Sequence, residues 1–398
     1  MEVFEALRTR ASVRDFLPAP IPAEALEKLK EAALCAPTSL NLQQQRFCFI
    51  TAPDILRTLT EGVIRVSEER GETDYLERLA QRDGKVFFGA PLVIVIAVGI
   101  MKPKFFGTSN LVNTLKNISI RYIIALGISG CLITTGNDLS AGRLAGFAAC
   151  LACIFAQTEG ASGKFYPNMP TLPTPVVFVL VIAICAIVGL CNGLVVSYLK
   201  VQPFIATLGM QQVVYGICLV YTGGTPIGSL NSNFTALAKD TLLAVPVLIW
   251  IALIVAVCFW FLYNKTRHGK YMYAIGGNEV AAEVSGVNTR RAKISIYMTA
   301  GIMYAIAGYL LAAKSGGTSA SMGSGYELEA IAGCTIGGVS VNGGVGTIPG
   351  ILIGVLVFEV LKIVLQFLGV ESSYTYIAQG LVIIIAVALD LRKYLAKK

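Results

Sequence analysis

The sequence predicts a mainly α-helical, polytopic membrane bundle of about 8–10 spans, preceded by a shorter segment of another kind. Three observations lead there. Hydrophobic residues make up 55% of the chain and charged residues 14%, against about 25% charged in soluble domains. The charge is unevenly placed: residues 1–86 hold 12 Lys and Arg against 14 Asp and Glu, whereas residues 87–398 hold 20 against 10. Apolar runs of near-spanning length then recur to the C-terminus, with basic residues gathered between them, as the positive-inside bias arranges them. The net positive charge therefore belongs to membrane loops and implies no nucleic-acid partner.

Residues 1–86 read as soluble and mostly helical. Ile21-Pro22-Ala23-Glu24 opens a helix that Ala36-Pro37 ends, Gln45–Thr51 alternates as a strand does, and Ile55–Gly71 and Asp74–Asp83 read as further helices. Phe87–Met101 is short for a span, and Lys102-Pro103-Lys104 closes it. Asn110–Asn117 is polar. Ile118–Thr135 is the first convincing membrane segment, followed by apolar runs at 143–157, 176–198, 204–221, 242–262, 294–313, 328–341, 347–368 and 376–391. The 328–341 piece suits a re-entrant element. If every run crosses, Arg143, Lys200, the Lys265–Lys293 cluster and Arg392, Lys393, Lys397 and Lys398 share one side, which the bias makes the cytoplasm, and both termini lie there. Lys102, Lys104, Lys116 and Arg121 fall opposite.

Polar residues inside apolar runs are costly, so they face protein or water. Asp138, Asn192, Gln211, Glu327 and Glu329 are candidates for a translocation pathway. Asp138 also suits a cap at a broken helix, since Thr134–Arg143 interrupts two apolar runs. Glu359 and Lys362 are spaced to pair on one helix. Most glycines in these runs read as helix-packing positions. Eight of the ten cysteines sit in apolar runs and read as small hydrophobes, including the C-x-x-C at Cys150 and Cys153. No metal site is expected.

Asn264–Lys293 is the longest markedly polar interval after about residue 100, flanked by two spans. Its middle reads as a short helix with Asn278 as N-cap, Glu279 at the positive end and Gly286 just past the C-terminus. Val280, Val284 and Val287 fall near one face. A helix of about two turns is marginal alone in water, so it needs a surface to dock on. The chain has no G-x-x-x-x-G-K-[ST] and one histidine, His268, with no nucleophile–His arrangement, so no ATP-hydrolysing site and no catalytic residue is expected.

The N-terminal motifs Arg8–Phe16 (RTRASVRDF) and Ala36–Ile50 (APTSLNLQQQRFCFI) resemble the start of the nitroreductase family, flavin-dependent oxidoreductases of α+β fold. The resemblance covers about residues 1–98 and implies a partial domain. In the family these two elements contact flavin mononucleotide, which makes Arg10, Ser12, Arg14, Ser39 and Asn41 FMN-binding candidates. Ala11, Leu40 and Gln44-Gln45 depart from the family pattern.

From about Phe105 onward the chain resembles the sugar permease family of bacterial ABC importers, through RYIIALGISGCLITTGNDLSAGRLAGFAA, AIVGLCNGLVVSYLKVQPFIATLGM, NKTRHGKYMYAIGGNEVAAEVSGVN and YELEAIAGCTIGGVSVNGGVGTIPG. The expected division is thus residues 1–98, nitroreductase-like, and 99–398, permease. The resemblance implies a multi-pass inner-membrane subunit that needs no cofactor. It would work as a homodimer with separate ATP-binding subunits and an extracytoplasmic sugar-binding protein, for a monosaccharide such as galactose or a methyl-galactoside. It also implies that Gly276, Gly277, Asn278, Ala281, Ala282, Ser285 and Gly286 form the loop coupled to the ATPase. Two other readings are a membrane-tethered FMN oxidoreductase and a fusion or misassembled frame in which only the permease part works.

Overall fold

The computed structural model describes residues 102–161 and 163–395, all within the compact unit Phe87–Lys398. The nitroreductase-like segment, its FMN candidates Arg10, Ser12, Arg14, Ser39 and Asn41, and the short apolar run 87–101 lie outside the described residues.

Among the described residues, twelve α-helices follow a 3-10 turn at Pro103–Phe106. They are α1 (Thr108–Ile133), α2 (Ala141–Phe155), α3 (Thr174–Tyr198), α4 (Pro203–Thr222), α5 (Ser232–Lys239), α6 (Val247–Lys265), α7 (Arg267–Gly277), α8 (Glu279–Val284), α9 (Thr289–Ser315), α10 (Tyr326–Ile336), α11 (Ile348–Phe367) and α12 (Ser372–Leu395). A two-residue hairpin, β1 (Thr241–Leu242) with β2 (Val245–Pro246), precedes α6. Among the described residues, α1, α3, α4, α6, α9 and α11 are long and apolar enough to cross a membrane.

Two differences between the sequence reading and the helices bear on how the bundle is built. The first span begins ten residues before Ile118, because the polar stretch 110–117 continues the helix at Thr108 and is held there by Asn117, which accepts from Lys314 on α9. Arg143 does not lie in a loop with the other basic residues. The segment 134–140 turns back into the bundle, so α2 starts inside it and stacks the Arg143 guanidinium 4.1 Å over the Tyr215 ring.

Helices α1 and α9 form the centre. Within their apolar windows 83% and 67% is buried, against 17% for α4 and 22% for α3 and α6. The outer helices thus turn most of their apolar surface away from the protein, the pattern lipid requires. Helices α1 and α9 run antiparallel: Lys314 meets Asn117 at one end and Ile296 meets Gly130 toward the other. Glycines set the closest approaches. Gly189 and Gly193 on α3 form a G-x-x-x-G pair that rests on α9, where a Cβ on Gly189 would stand 2.5 Å from the Tyr297 carbonyl. Gly333 on α10 and Gly337 just past its end face Gly350 and Gly354 on α11 in the same way, backbone against backbone. The cysteines Cys131, Cys150, Cys153, Cys185, Cys191, Cys218, Cys258 and Cys334 are all free thiols, six of them buried.

The bundle has two ends. One carries the Phe105–Phe367 ring contact, the α5 hairpin region and the bridges Gln157–Leu230 and Ile227–Thr318. At the other, the Gly344 amide donates to the Ile133 carbonyl (2.8 Å) and Tyr273 donates to Gly346 (2.8 Å). Helix α10 is only 11 residues long, and the loop 337–347 completes its path to this second end.

Candidate functional site

The second end is built around the connection from α6 to α9. The chain reverses after α6 because Gly269 sits against the Tyr263 backbone, where a side chain would collide. Thr266 donates to Leu262 (2.6 Å) and closes the last turn of α6. Helix α7 buries Met272 and Ile275 and ends with Gly276 pressed on the Ile133 carbonyl and the Gly344 amide. Gly276 is therefore a packing position, whereas Gly277 is exposed.

Helix α8 follows at once. The Asn278 side chain accepts from the Ala281 amide (3.0 Å), as its N-cap position predicts. Gly286 adopts φ +86 just past the helix, a conformation that suits glycine, and the Val287 amide closes back on Ala282 (3.0 Å). Asn288 caps α9 through the Arg291 amide (3.0 Å), and Lys293 pairs with Glu279 at 2.7 Å. A six-residue helix is thus fixed at both ends and tied sideways to α9.

Its faces differ. Ala282 is 5% exposed and turned into the protein, while Val280 and Val284 are 70% and 71% exposed. Two valines four residues apart share one outward face. Ala281 and Ser285 are also exposed. Of the sequence candidates, Gly277, Asn278, Ala281, Ser285 and Gly286 lie at the surface and Gly276 and Ala282 beneath it. The outward valines are the additional residues, and their shared face was the available signal.

Burial also governs His268 on α7. It lies beside Ser295 (3.2 Å), and the loss of water around the ring lowers its pKa below the ordinary histidine value.

The intramembrane candidates fall into separate groups. Asp138 is 1% exposed. Its carboxylate accepts from the Ser140 amide (3.0 Å), the Ser140 hydroxyl (2.6 Å) and the Tyr304 hydroxyl (3.0 Å). Asn192 joins by donating to Ser140 (3.0 Å), with its own carbonyl oxygen left unpartnered. This knot holds the break between α1 and α2. Glu327 is buried beside Gly142, with one oxygen unpartnered, and Gln211 is half-buried on α4.

Glu329 belongs to a third group. It meets Arg121 at 2.6 Å and Lys362 at 2.7 Å, and Arg121 also lies 3.1 Å from Glu359. The expected Glu359–Lys362 pair is the loosest contact, at 3.9 Å. Lys362 instead turns to Glu329 on α10, because Arg121 from α1 occupies the space beside Glu359. Arg121 is the member the sequence did not reveal, since 208 residues separate it from Glu329.

These features define a class: a multi-pass helical membrane protein with a structured polar element at one end. The family described as "Branched-chain amino acid transport system / permease component" matches residues 110–387, and the chain belongs to it. Its relatives include the galactose/methyl galactoside import permease protein MglC of Haemophilus influenzae, 44% identical over 316 residues that cover 77% of this chain and 94% of the relative. The Escherichia coli K12 protein of the same name is 43% identical over 315 residues, with the same coverage. The ribose import permease protein RbsC of Escherichia coli K12 is 36% identical over 311 residues, 76% of this chain and 92% of that one. The chain is thus an integral inner-membrane permease subunit of an ABC-type sugar importer. The Nitroreductase family also matches residues 7–155, overlapping α1 and α2 of the bundle. No solved structure matches significantly.

Proposed function

We propose that the chain imports a monosaccharide, galactose or a methyl-galactoside, as one half of a homodimeric pathway. The observation that carries this is 43–44% identity to galactoside permeases across nearly their whole length. The second end of the bundle faces the cytoplasm. Lys200, Lys265, Arg267, Lys270, Arg290 and Arg291 are exposed there, and the positive-inside bias supports that orientation. With residues 87–101 crossing the membrane as a further span, both chain termini then lie inside. An extracytoplasmic binding protein delivers sugar at the opposite end.

Power comes from separate ATP-binding subunits. Helix α8, with Gly277, Asn278, Ala281, Ser285 and Gly286 around Val280 and Val284, seats in a cleft on each of them. Closure of the ATPase pair on ATP moves α7 and α8, and the bundle exchanges between outward- and inward-open populations. The pathway is built from the groups of Asp138, Asn192, Gln211, Glu327 and Glu329. The permease part itself needs no cofactor.

Reconstitution in proteoliposomes with the ATPase and binding protein tests this. ATP-dependent uptake of labelled galactose is expected; its absence, with correctly assembled subunits, would overturn the reading.

A second reading is favoured by the nitroreductase match over residues 7–155: residues 1–98 form a separate domain that binds FMN through Arg10, Ser12, Arg14, Ser39 and Asn41. The purified full chain would then be yellow and lose the colour in Arg14→Ala. A colourless, folded protein sinks that reading.

A further inference from the structure

Between α1, α10, α11 and α12 lies a cleft of about 480 Å³ whose lining includes Arg121, Tyr326, Glu329, Lys362, Gln366 and Gln379. That is within the usual size of small-molecule sites, about 300–1,000 Å³. The charged groups at its base are deeply placed. Arg121, Glu329 and Lys362 are 13%, 11% and 14% exposed, and the adjoining Glu359 is 2% exposed with Oε2 lacking a hydrogen bond.

Four ions in a membrane bundle are costly to bury, and hydrophobic side chains of similar size commonly stabilise a protein as well or better. Stability alone gives little reason for the quartet. Its composition instead suggests a ligand. Two cations and two carboxylates sum to zero, so the cleft has no net attraction for an ion. It nonetheless presents donors from the guanidinium and ammonium, acceptors from the carboxylates, and both from the amides of Gln366 and Gln379. Hydroxyl groups donate and accept, so a neutral polyol can satisfy both kinds together. The Tyr326 ring, with the Arg121 guanidinium 4.9 Å from its centre, adds a flat apolar wall of the kind that suits a sugar's C–H face.

We infer that this cleft is a contact site for the transported monosaccharide, with Glu329 and Gln379 hydrogen-bonding its hydroxyls. This rests on the reading of the chain as a monosaccharide permease. It places sugar discrimination partly in the permease rather than wholly in the delivering protein.

The test uses the complete reconstituted complex. Galactose and glucose, which differ at one hydroxyl, are each presented on saturated binding protein, so that affinity for that protein cancels. The readout is the ratio of their transport rates. Gln379→Ala is expected to change the ratio about five- to tenfold, the loss of one hydrogen bond. The exposed rim variant Gln366→Ala, which leaves the packing intact, is expected to change it in the same direction. If wild type carries sugar and both variants keep its ratio, even at lower rates, the cleft is structural and this inference alone fails. If wild type carries neither sugar, the permease reading fails and takes this inference with it.

Discussion

Truncating the two outward valines of α8 tests the coupling argument most directly. Val280→Ala and Val284→Ala each remove two methyl groups from side chains that are 70% and 71% exposed. At about 0.8 kcal/mol per buried carbon, the area still open to burial makes each truncation cost about 1.1 kcal/mol of docking. Together they cost about 2.2 kcal/mol, or about 40-fold in affinity for the ATP-binding subunit. The bundle should be untouched, because neither valine is part of its core. The measurement is binding of the purified ATPase to vesicles carrying the permease, with thermal stability of the permease as a control. Unchanged binding by the double variant, with unchanged stability, refutes the docking face. Ala282→Asp is a poorer test. It buries a carboxylate against the chain's own loop and would damage α8 itself.

Three further perturbations follow from the packing. Arg121→Ala leaves Glu329 and Glu359 facing each other with only Lys362, so a loss of about 3–5 kcal/mol is expected; a thermal midpoint within a degree of wild type in detergent would contradict it. Gly354→Ala drives a methyl into the Gly333 carbonyl and should cost about 1–3 kcal/mol, seen as a lower midpoint, whereas the exposed Gly277→Ala should leave it unmoved. The pKa of His268 is lowered by burial, so the unfolded chain takes up a proton first as pH falls. Stability from this site is complete above the ordinary histidine value of about 6.5 and is lost as pH drops through it toward the folded value. His268→Gln should flatten the midpoint's dependence on pH between about 7.5 and 5.5; an identical slope would exclude the site.

Local rules make much of the second end legible in the sequence. Asn278, Gly286 and the valine spacing define a capped two-turn helix, and each feature depends only on residues within a few positions. What escaped was long-range. The burial of Ala282 depends on what the rest of the chain packs against α8, and no pattern in residues 278–286 encodes that. Arg121 read as a stray basic residue because its partners come from α10 and α11. Helix α1 began early for the same reason: Asn117 is polar in sequence but satisfied by Lys314, almost two hundred positions away. Periodicity records which residues share a face. It does not record what that face meets.

The contacts at the second end also explain why a short polar helix is attached so stiffly. Gly276, at the end of α7, touches both Ile133 and Gly344. Ile133 ends α1, and Gly344 belongs to the loop that ends α10 and begins α11. A displacement of α7 therefore bears on three helices at once, through backbone groups that have no rotamers with which to absorb it. Those three helices carry Arg121, Glu329 and the Glu359–Lys362 pair. The same glycine-close contacts continue upward, since Gly333 and Gly337 lock α10 to α11. An element that pulled on α8 would thus act on the base of the polar cleft through rigid backbone rather than through side-chain rearrangement. Continuity of contact is not itself a coupling energy. It does identify Gly276 as the position where a single added methyl would separate α7 from all three helices together.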